Sequence, residues 1–144
     1  MTTVRPIEAR DEAAWLRLWK LYLDFYKVTM PPGHSERLFA NLLKGAPHFG
    51  FVAERDGAVI GFVHGLPHAS TWSETGYCYL EDLYVDASVR GSGAGRALIE
   101  AVRAEAANRG LTKVYWVTDS GNAQARKLYD KVATLTDFLQ YRIG

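Results

Sequence analysis

Residues 80–98 run from a predicted strand through a glycine-rich turn into a predicted helix, and no other segment constrains the fold as strongly. The turn has glycines at positions 91, 93 and 95. Glycines let backbone N–H groups approach a ligand, and the N-terminus of the helix that follows attracts negative charge. Arg90 and Arg96 add fixed positive charge. The segment therefore predicts a cradle for a phosphate-bearing ligand.

The turn departs from two common phosphate-binding loops. A Walker loop ends in Gly-Lys-Ser/Thr, whereas Gly95 is followed here by Arg96 and alanine. A dinucleotide-binding loop needs a small sixth residue, and that place falls on Arg96 or Leu98. Asp119 stands at a tolerable distance for an acid that binds a ribose, although spacing alone is a weak signal. A nucleotide-dependent enzyme and a plain strand-to-helix turn stay open as alternatives.

Composition limits the class of protein. A chain of 144 residues with 48% hydrophobic content predicts a single domain over residues 1–144. A net charge of +1 gives no general attraction to nucleic acid or to an anionic membrane. The single Cys78 excludes a disulfide within the chain and a cysteine-based zinc cluster, and we expect no metal site. Without an apolar signal segment or a run of ~20 apolar residues, we expect a cytoplasmic protein.

Apolar periodicity predicts an α/β fold in which a mixed central sheet of about six to seven strands is flanked by about four helices. Asp56-Gly57 is a strong signal for a two-residue hairpin. A polar loop is expected between the strands over 59–66 and 77–85. The predicted strands cover residues 4–7, 49–54, 59–66, 77–85, 113–117 and 138–143.

Two sequence signatures occur in the order typical of one enzyme family. Residues 90–95, Arg-Gly-Ser-Gly-Ala-Gly, fit the pattern Arg/Gln-x-x-Gly-x-Gly/Ala. Asn122 is followed by Ala125 and by Leu-Tyr at 128–129 on the last predicted helix. On these residues the chain resembles the GNAT superfamily of acyl-CoA-dependent N-acetyltransferases along essentially its whole length. The resemblance implies acetyl-CoA as cofactor and coenzyme A as product.

The resemblance also implies where acetyl-CoA binds. The turn at 91–96 would hold the pyrophosphate, and the backbone of 83–85 would pair with the pantetheine arm like an added strand. The implied cofactor-binding residues are Leu83, Tyr84, Val85, Arg90, Gly91, Ser92, Gly93, Ala94, Gly95, Arg96, Asn122 and Ala125.

Parts of the chain are similar to two narrower groups. Residues 79–85, preceded by 70–72, are similar to spermidine/spermine and thialysine acetyltransferases. Residues 15–26 and 128–141 look more like the yeast Hpa-type enzymes, which include amine, histone and D-amino-acid acetyltransferases and are dimeric. Many family members have Leu-Gly-Phe after the tyrosine and two further strands, whereas Val-Ala-Thr stands at 132–134 here. We therefore expect a homodimer, with exchange of the last strand as a hypothesis.

Amine chemistry calls for a base, because an alkyl amine with a pKa of about 10.4 is protonated at neutral pH. Strand alternation places Glu81 on one face with Leu83 and Val85, and Asp82 on the other. If the first face borders the cleft, Glu81 can take the proton directly or through water. A carboxylate held by a structural partner is the alternative, and Asp82 is the second candidate.

The thiolate that leaves has a pKa of about 8.5, and a proton donor would help it depart. Tyr129 fits this role by resemblance to the family, with a core tyrosine as the alternative. Asn122 could be only an N-cap. A backbone N–H around Leu83 is the expected donor to the thioester oxygen. No histidine and acid accompany Cys78, so an acyl-enzyme is disfavoured.

Acceptor binding is assigned to Asp24, Tyr26, Trp72 and Glu81, which could hold a cationic amine by charge and by aromatic faces. For each of these residues, packing is the alternative role. The resulting prediction is an N-acetyltransferase that acts on a small primary amine (a polyamine, diamino acid or amino acid) by direct attack in a ternary complex. A protein or histone-lysine acetyltransferase and a catalytically silent acyl-CoA-binding module stay as alternatives.

Overall fold

The strands pair in the order in which they occur along the chain. The computed structural model describes residues 1–144. Its sheet has the order β1-β2-β3-β4-β5, and only the β4–β5 pair is parallel. The strands are β1 (Thr2–Pro6), β2 (Phe49–Arg55), β3 (Ala58–Ser70), β4 (Ser73–Val85) and β5 (Val114–Tyr115). The helices are α1 (Glu12–Phe25), α2 (His34–Lys44), α3 (Ala94–Asn108) and α4 (Ala123–Val132), with two 3₁₀ turns at Ala9–Asp11 and Ala87–Val89.

Each face of the sheet carries its own apolar core. On one face α3 packs Leu98 and Val102 against the strands. On the other face α1 and α2 bring Trp15 and Phe39 onto Phe62 of β3. Because both faces are covered, β3 is buried without interruption from Val59 to His64. The mixed α/β arrangement with four helices is as predicted.

The sequence predicts one of the two central hairpins correctly and the other incorrectly. Asp56 and Gly57 have φ of 52° and 78°, as a type I′ turn requires, so the predicted two-residue hairpin is confirmed. The predicted loop over 67–76 is wrong, because pairing between β3 and β4 continues to Ser70 and Ser73. Trp72 stands at the tip of this hairpin with 89% of its surface exposed. The polar residues of this segment are typical of a loop, but its backbone is paired almost to the turn.

The sheet has five strands because the C-terminal residues do not join it. The predicted strand over 138–143 is wrong: residues 137–144 form no helix or strand, and Phe138 and Ile143 are 91% and 104% exposed. The predicted strand over 113–117 shortens to Val114–Tyr115. A strand-like pattern forms a strand only where it pairs with a sheet edge, and this segment pairs with neither edge strand, β1 or β5. No helix is long and apolar enough to cross a bilayer.

A partly buried ion pair connects β1 to the start of α1. Arg5 donates from Nη1 and Nη2 to the two carboxylate oxygens of Asp11, at 2.7 and 2.9 Å, and from Nη2 to Glu54 at 2.7 Å. Asp11 also accepts the backbone N–H of Glu8 at 2.8 Å. Burial acts to raise the pKa of Asp11, but the hydrogen bonds from Arg5 and Glu8 outweigh it, and the pKa is lowered.

We expect Asp11→Asn to lower the free energy of unfolding by about 2 kcal/mol at pH 7, because Arg5 loses its best partner. The folded-state pKa of Asp11 lies below its unfolded value of 3.8, so this stabilisation is present above pH 3.8 and disappears as the pH falls through the folded-state pKa. Urea unfolding at pH 7 and at acidic pH measures both effects. Asp24→Asn is the control: its exposed pair with Lys20 contributes about 0.5 kcal/mol at most. Equal losses in the two variants would contradict the expectation.

Candidate active site

The glycine-rich turn leaves an open space at the start of α3. Gly91 and Gly93 have φ of +86° and +85°, and a Cβ at either residue would meet nothing within 4 Å. Gly93 is the N-cap of α3, whose first N–H groups have no partner inside the helix. The backbone therefore presents donors to the open space beside the turn.

Side chains at the turn fit a pyrophosphate. The Ser92 hydroxyl is buried and has no hydrogen-bond partner in the chain, a costly arrangement that a bound phosphate would relieve. Arg96 lies exposed in the first turn of α3. Arg90 instead donates its Nε–H to the Val85 carbonyl at 3.1 Å and lies 5.7 Å from the centre of the Tyr84 ring. Ser92, Arg96 and the backbone donors of the turn therefore fit the phosphate end of acetyl-CoA. Arg90 instead stabilises the end of β4.

Strands β4 and β5 separate beside this turn. They pair only at Cys78–Val114 and Tyr79–Tyr115. On its other edge β4 stays paired with β3 as far as Val85. The backbone of 83–85 therefore has one edge without a neighbouring strand, where an extended pantetheine arm could pair.

A β-bulge changes which face each acid of β4 occupies. The β3–β4 register shifts between the pairs His64–Asp82 and Gly65–Leu80, and Glu81 is left without a partner on β3. Leu83 and Val85 pack on the α3 side of the sheet. Glu81 and Asp82 both line a cavity on the α1 and α2 side. The expectation that Glu81 shares a face with Leu83 and Val85, opposite Asp82, is therefore wrong: the extra residue breaks the alternation and brings the two carboxylates together.

Asp82 has both carboxylate oxygens engaged. Tyr22 donates its hydroxyl to Oδ1 at 2.8 Å, and Nδ1 of His64 lies 2.8 Å from Oδ2. The other ring nitrogen of His64 lies 3.1 Å from Nε1 of Trp15. Since an indole N–H can only donate, Nε2 of His64 accepts and Nδ1 carries the proton toward Asp82. The imidazole in this network is neutral and buried.

Sequence reasoning missed this network, and no local signal could have revealed it. The pairs Trp15–His64 and Tyr22–Asp82 are 49 and 60 residues apart in sequence. They meet only because α1 packs across β3 and β4. His64 had no partner spacing of its own, and Asp82 was expected as the second candidate for the base.

Glu81 is the free carboxylate of the pair, since it makes no hydrogen bond or ion pair with any group of the chain. Partial burial raises its pKa, and the negative charge of Asp82 adds to the increase. Burial and the nearby Asp82 also raise the pKa of Tyr22, so this phenol stays a donor. An unpartnered carboxylate with a raised pKa is suited to exchange protons with a ligand.

The cavity beside Glu81 has a volume of about 480 Å³. Of the residues expected to bind the acceptor, Tyr26 lines it together with Glu81. Asp24 does not: it points to solvent and pairs with Lys20 at 3.1 Å. Trp72 is also distant from the lining, at the tip of the β3–β4 hairpin. The structure therefore brings together two of the four.

Helix α4 approaches the turn and the cavity wall. The Asn122 side chain accepts the Ala125 N–H at 3.2 Å and caps the helix. A Cβ at Gly95 would lie only 3.3 Å from Leu128, so the glycine lets α4 pack closely on α3. Tyr129 is half-buried with its edge against Trp116, at 5.4 Å between ring centres. Burial raises the pKa of Tyr129, and the neighbouring Tyr26 phenol adds to the increase.

The cysteine is unsuited to covalent chemistry. Cys78 is fully buried, and burial raises the pKa of its thiol to about 11. Only the thiolate is a nucleophile, so this thiol is almost entirely unreactive at neutral pH.

Comparison with known proteins agrees with this geometry. Residues 15–133 match the acetyltransferase (GNAT) family model. The chain is 42% identical over 142 residues to the D-amino-acid N-acetyltransferase HPA3 of Saccharomyces cerevisiae, covering 96% of this chain and 88% of the yeast protein.

Solved structures share the fold. The ribosomal-protein-alanine N-acetyltransferase from Brucella melitensis biovar Abortus 2308 superposes with a TM-score of 0.83 at 23% identity, over 100% of this chain and 99% of that one. AAC(6')-Iy in complex with a CoA-containing bisubstrate analog superposes with a TM-score of 0.85 at 20% identity, over 100% and 98% of the two chains. The family match and the similarity to the yeast enzyme show that the chain belongs to the GNAT family and is an acetyl-CoA-dependent N-acetyltransferase.

Proposed function

We propose that the chain transfers the acetyl group of acetyl-CoA to a primary amine of a small molecule by direct attack in a ternary complex. The observation that carries the proposal is the free carboxylate of Glu81 in the wall of a cavity next to the open edge of β4. The cavity volume of about 480 Å³ lies within the range typical of small-molecule sites. Amino acids, diamino acids and polyamines are the candidate acceptors.

Two residues of the chain move protons in this proposal. Bound acetyl-CoA supplies a thioester whose C–S bond breaks as the amine nitrogen forms the new N–C bond. Glu81 takes a proton from the ammonium, which frees the nitrogen lone pair. Tyr129 gives its proton to the departing sulfur and recovers one as the attacking nitrogen loses its second proton, so the products are the amide and the free thiol. The backbone N–H near Leu83 is the proposed donor to the thioester oxygen.

Among the amino acids, D-amino acids are favoured by the 42% identity to an enzyme named for that activity. Thiol release from acetyl-CoA, measured with polyamines, lysine analogues, D- and L-amino acids and a histone-tail peptide, separates the possibilities. We expect release with a small amine and little with the peptide. Preference for the peptide would favour the protein-lysine alternative.

Tyr129→Phe should lower kcat by about 10- to 100-fold and leave the KM for the amine nearly unchanged, because only protonation of the leaving sulfur is lost. Steady-state kinetics at pH 7 measures this. Tyr77→Phe, at a half-buried tyrosine outside the cavity, is the matched control. If neither wild type nor variant consumes any amine while acetyl-CoA still raises Tm, the silent acyl-CoA-binding alternative is favoured.

We further propose that two copies associate through the C-terminal segment and act in the cytoplasm, where the free thiol of Cys78 would persist. Residues 133–144 expose Leu135, Phe138, Leu139 and Tyr141, which pair with nothing in their own chain. Such a segment fits the edge of a neighbouring sheet, as strand addition requires. In the proposed homodimer, the C-terminal segment of each copy adds to the sheet edge of the other copy.

Light scattering after size exclusion tests the homodimer. We expect the intact chain at micromolar concentration to have twice the monomer mass of 16.1 kDa. Phe138→Asp with Tyr141→Asp should shift it to monomer, whereas Trp72→Asp, at another exposed aromatic site, should not. A monomeric wild type would contradict the proposal.

A further inference from the structure

The charges in the cavity wall are unevenly distributed. Glu81 and Asp82 are its only acidic residues, and no lysine or arginine lines it. Both acids come from the bulge of β4, so the negative charge is concentrated in one place. The aromatic rings are grouped with the acids: Tyr22 donates to Asp82, and Trp19 stacks on Tyr22 with 5.5 Å between ring centres.

The wall formed by α2 is mainly apolar and has no charged carboxylate, lysine or arginine. His34, Leu38 and Leu42 line the cavity and are spaced four residues apart, so they form one stripe along the helix. The connection between α1 and α2 adds Val28 and Met30. Neither helix provides a carboxylate here, because Asp24 lies outside the lining.

Only one part of the cavity can therefore compensate an ammonium group for the hydration that it loses on binding. Near the bulge, the two carboxylates and the Tyr22 ring can replace its hydration. A second ammonium farther along would lose its hydration beside leucine, valine and methionine side chains. The polar groups on that side are the imidazoles of His34 on α2 and of His48 beyond it. An alkyl or aryl group in that place would instead bury apolar surface.

We infer that the acceptor is an amine with one positive charge on an apolar body, and that diamines and polyamines are poor acceptors. This inference rests on the proposed function and narrows its acceptor class. It would place the reacting nitrogen at Glu81 and the apolar body along Leu38 and Leu42.

Pairs of amines that differ by one ammonium test the inference directly. Hexylamine and hexamethylenediamine have the same carbon chain, and D-norleucine and D-lysine differ only at the end of the side chain. With wild type at pH 7, we expect kcat/KM at least about tenfold higher for the member with the apolar end in each pair. Equal or higher values for the diamines would overturn the inference.

A charge placed on the α2 wall should change this preference. Leu38→Glu adds a carboxylate where the second ammonium would lie, so the hexylamine preference should shrink by at least about fivefold. Leu43→Glu is the matched control, because Leu43 is on the same helix, 43% exposed and outside the cavity, and it should keep the wild-type ratio. The ratio is measured within one protein sample, so a partly unfolded variant does not distort it. An unchanged ratio in Leu38→Glu would also overturn the inference.

Binding separates failure of the inference from failure of the proposed function. Calorimetry with coenzyme A present measures the affinity for hexylamine and hexamethylenediamine without turnover. If no amine supports thiol release, the proposed function fails, and tighter binding of hexylamine would still support the assigned ligand class. Tighter binding of the diamine would contradict it.

Discussion

Replacing Glu81 by glutamine should lower kcat/KM for the amine acceptor by about 10²- to 10⁴-fold, the range typical of removing a general base. The amide keeps the size of the side chain but cannot take a proton. Glu81 is the free carboxylate of the cavity, whereas both oxygens of Asp82 are held by Tyr22 and His64. The loss should be largest at low pH, where the fraction of free amine is smallest.

The pH profile distinguishes a base from a structural carboxylate. Partial burial and the charge of Asp82 raise the pKa of Glu81, so wild-type kcat/KM should increase with pH as the carboxyl group loses its proton. Glu81→Gln should lack this step, and its residual rate should follow the free amine alone. Glu74→Gln, at an exposed acid on the same strand, is the control with a wild-type profile. A profile in Glu81→Gln that keeps the wild-type shape would argue against Glu81 as the base.

Replacing Gly93 by alanine should raise the KM for acetyl-CoA by about 10- to 100-fold and reduce the thermal stabilisation that acetyl-CoA gives. The added Cβ projects into the open space above the turn, where the pyrophosphate would approach the first N–H groups of α3. The left-handed φ of +85° also disfavours any side chain there. Both effects act on the same backbone donors.

Gly57→Ala is a close match for this variant. Gly57 has φ of +78°, and a Cβ there also meets nothing within 4 Å, but the residue lies in the β2–β3 hairpin. Backbone strain of about 1 kcal/mol should lower the Tm of both variants. Only Gly93→Ala should lose affinity for acetyl-CoA. Equal affinities in the two variants would show that the turn is not the phosphate site.

Features set by short stretches of sequence were predictable. The Asp56-Gly57 turn, the glycine turn before α3 and the Asn122 cap each depend on residues within a few positions of one another. The same holds for the helices, whose apolar faces repeat within one or two turns. These features account for the segments expected to bind acetyl-CoA.

Features set by distant contacts were not predictable. The bulge at Glu81 depends on how β4 aligns with β3, so strand alternation alone put Glu81 and Asp82 on opposite faces. The Trp15–His64–Asp82 chain of hydrogen bonds needs three separate elements to pack. Residues 138–143 have a strand-like pattern, yet they pair with neither edge strand of their own sheet and stay exposed.

The most direct single measurement is the stoichiometry of thiol release and N-acetylated product, with wild type and Glu81→Gln assayed side by side on hexylamine. We predict that wild type forms one acetylamine for each thiol released, at a rate that increases with amine concentration, and that Glu81→Gln is slower by at least about 10²-fold. Thiol release that is independent of the amine, or equal rates in the two proteins, would contradict amine acetylation with Glu81 as its base.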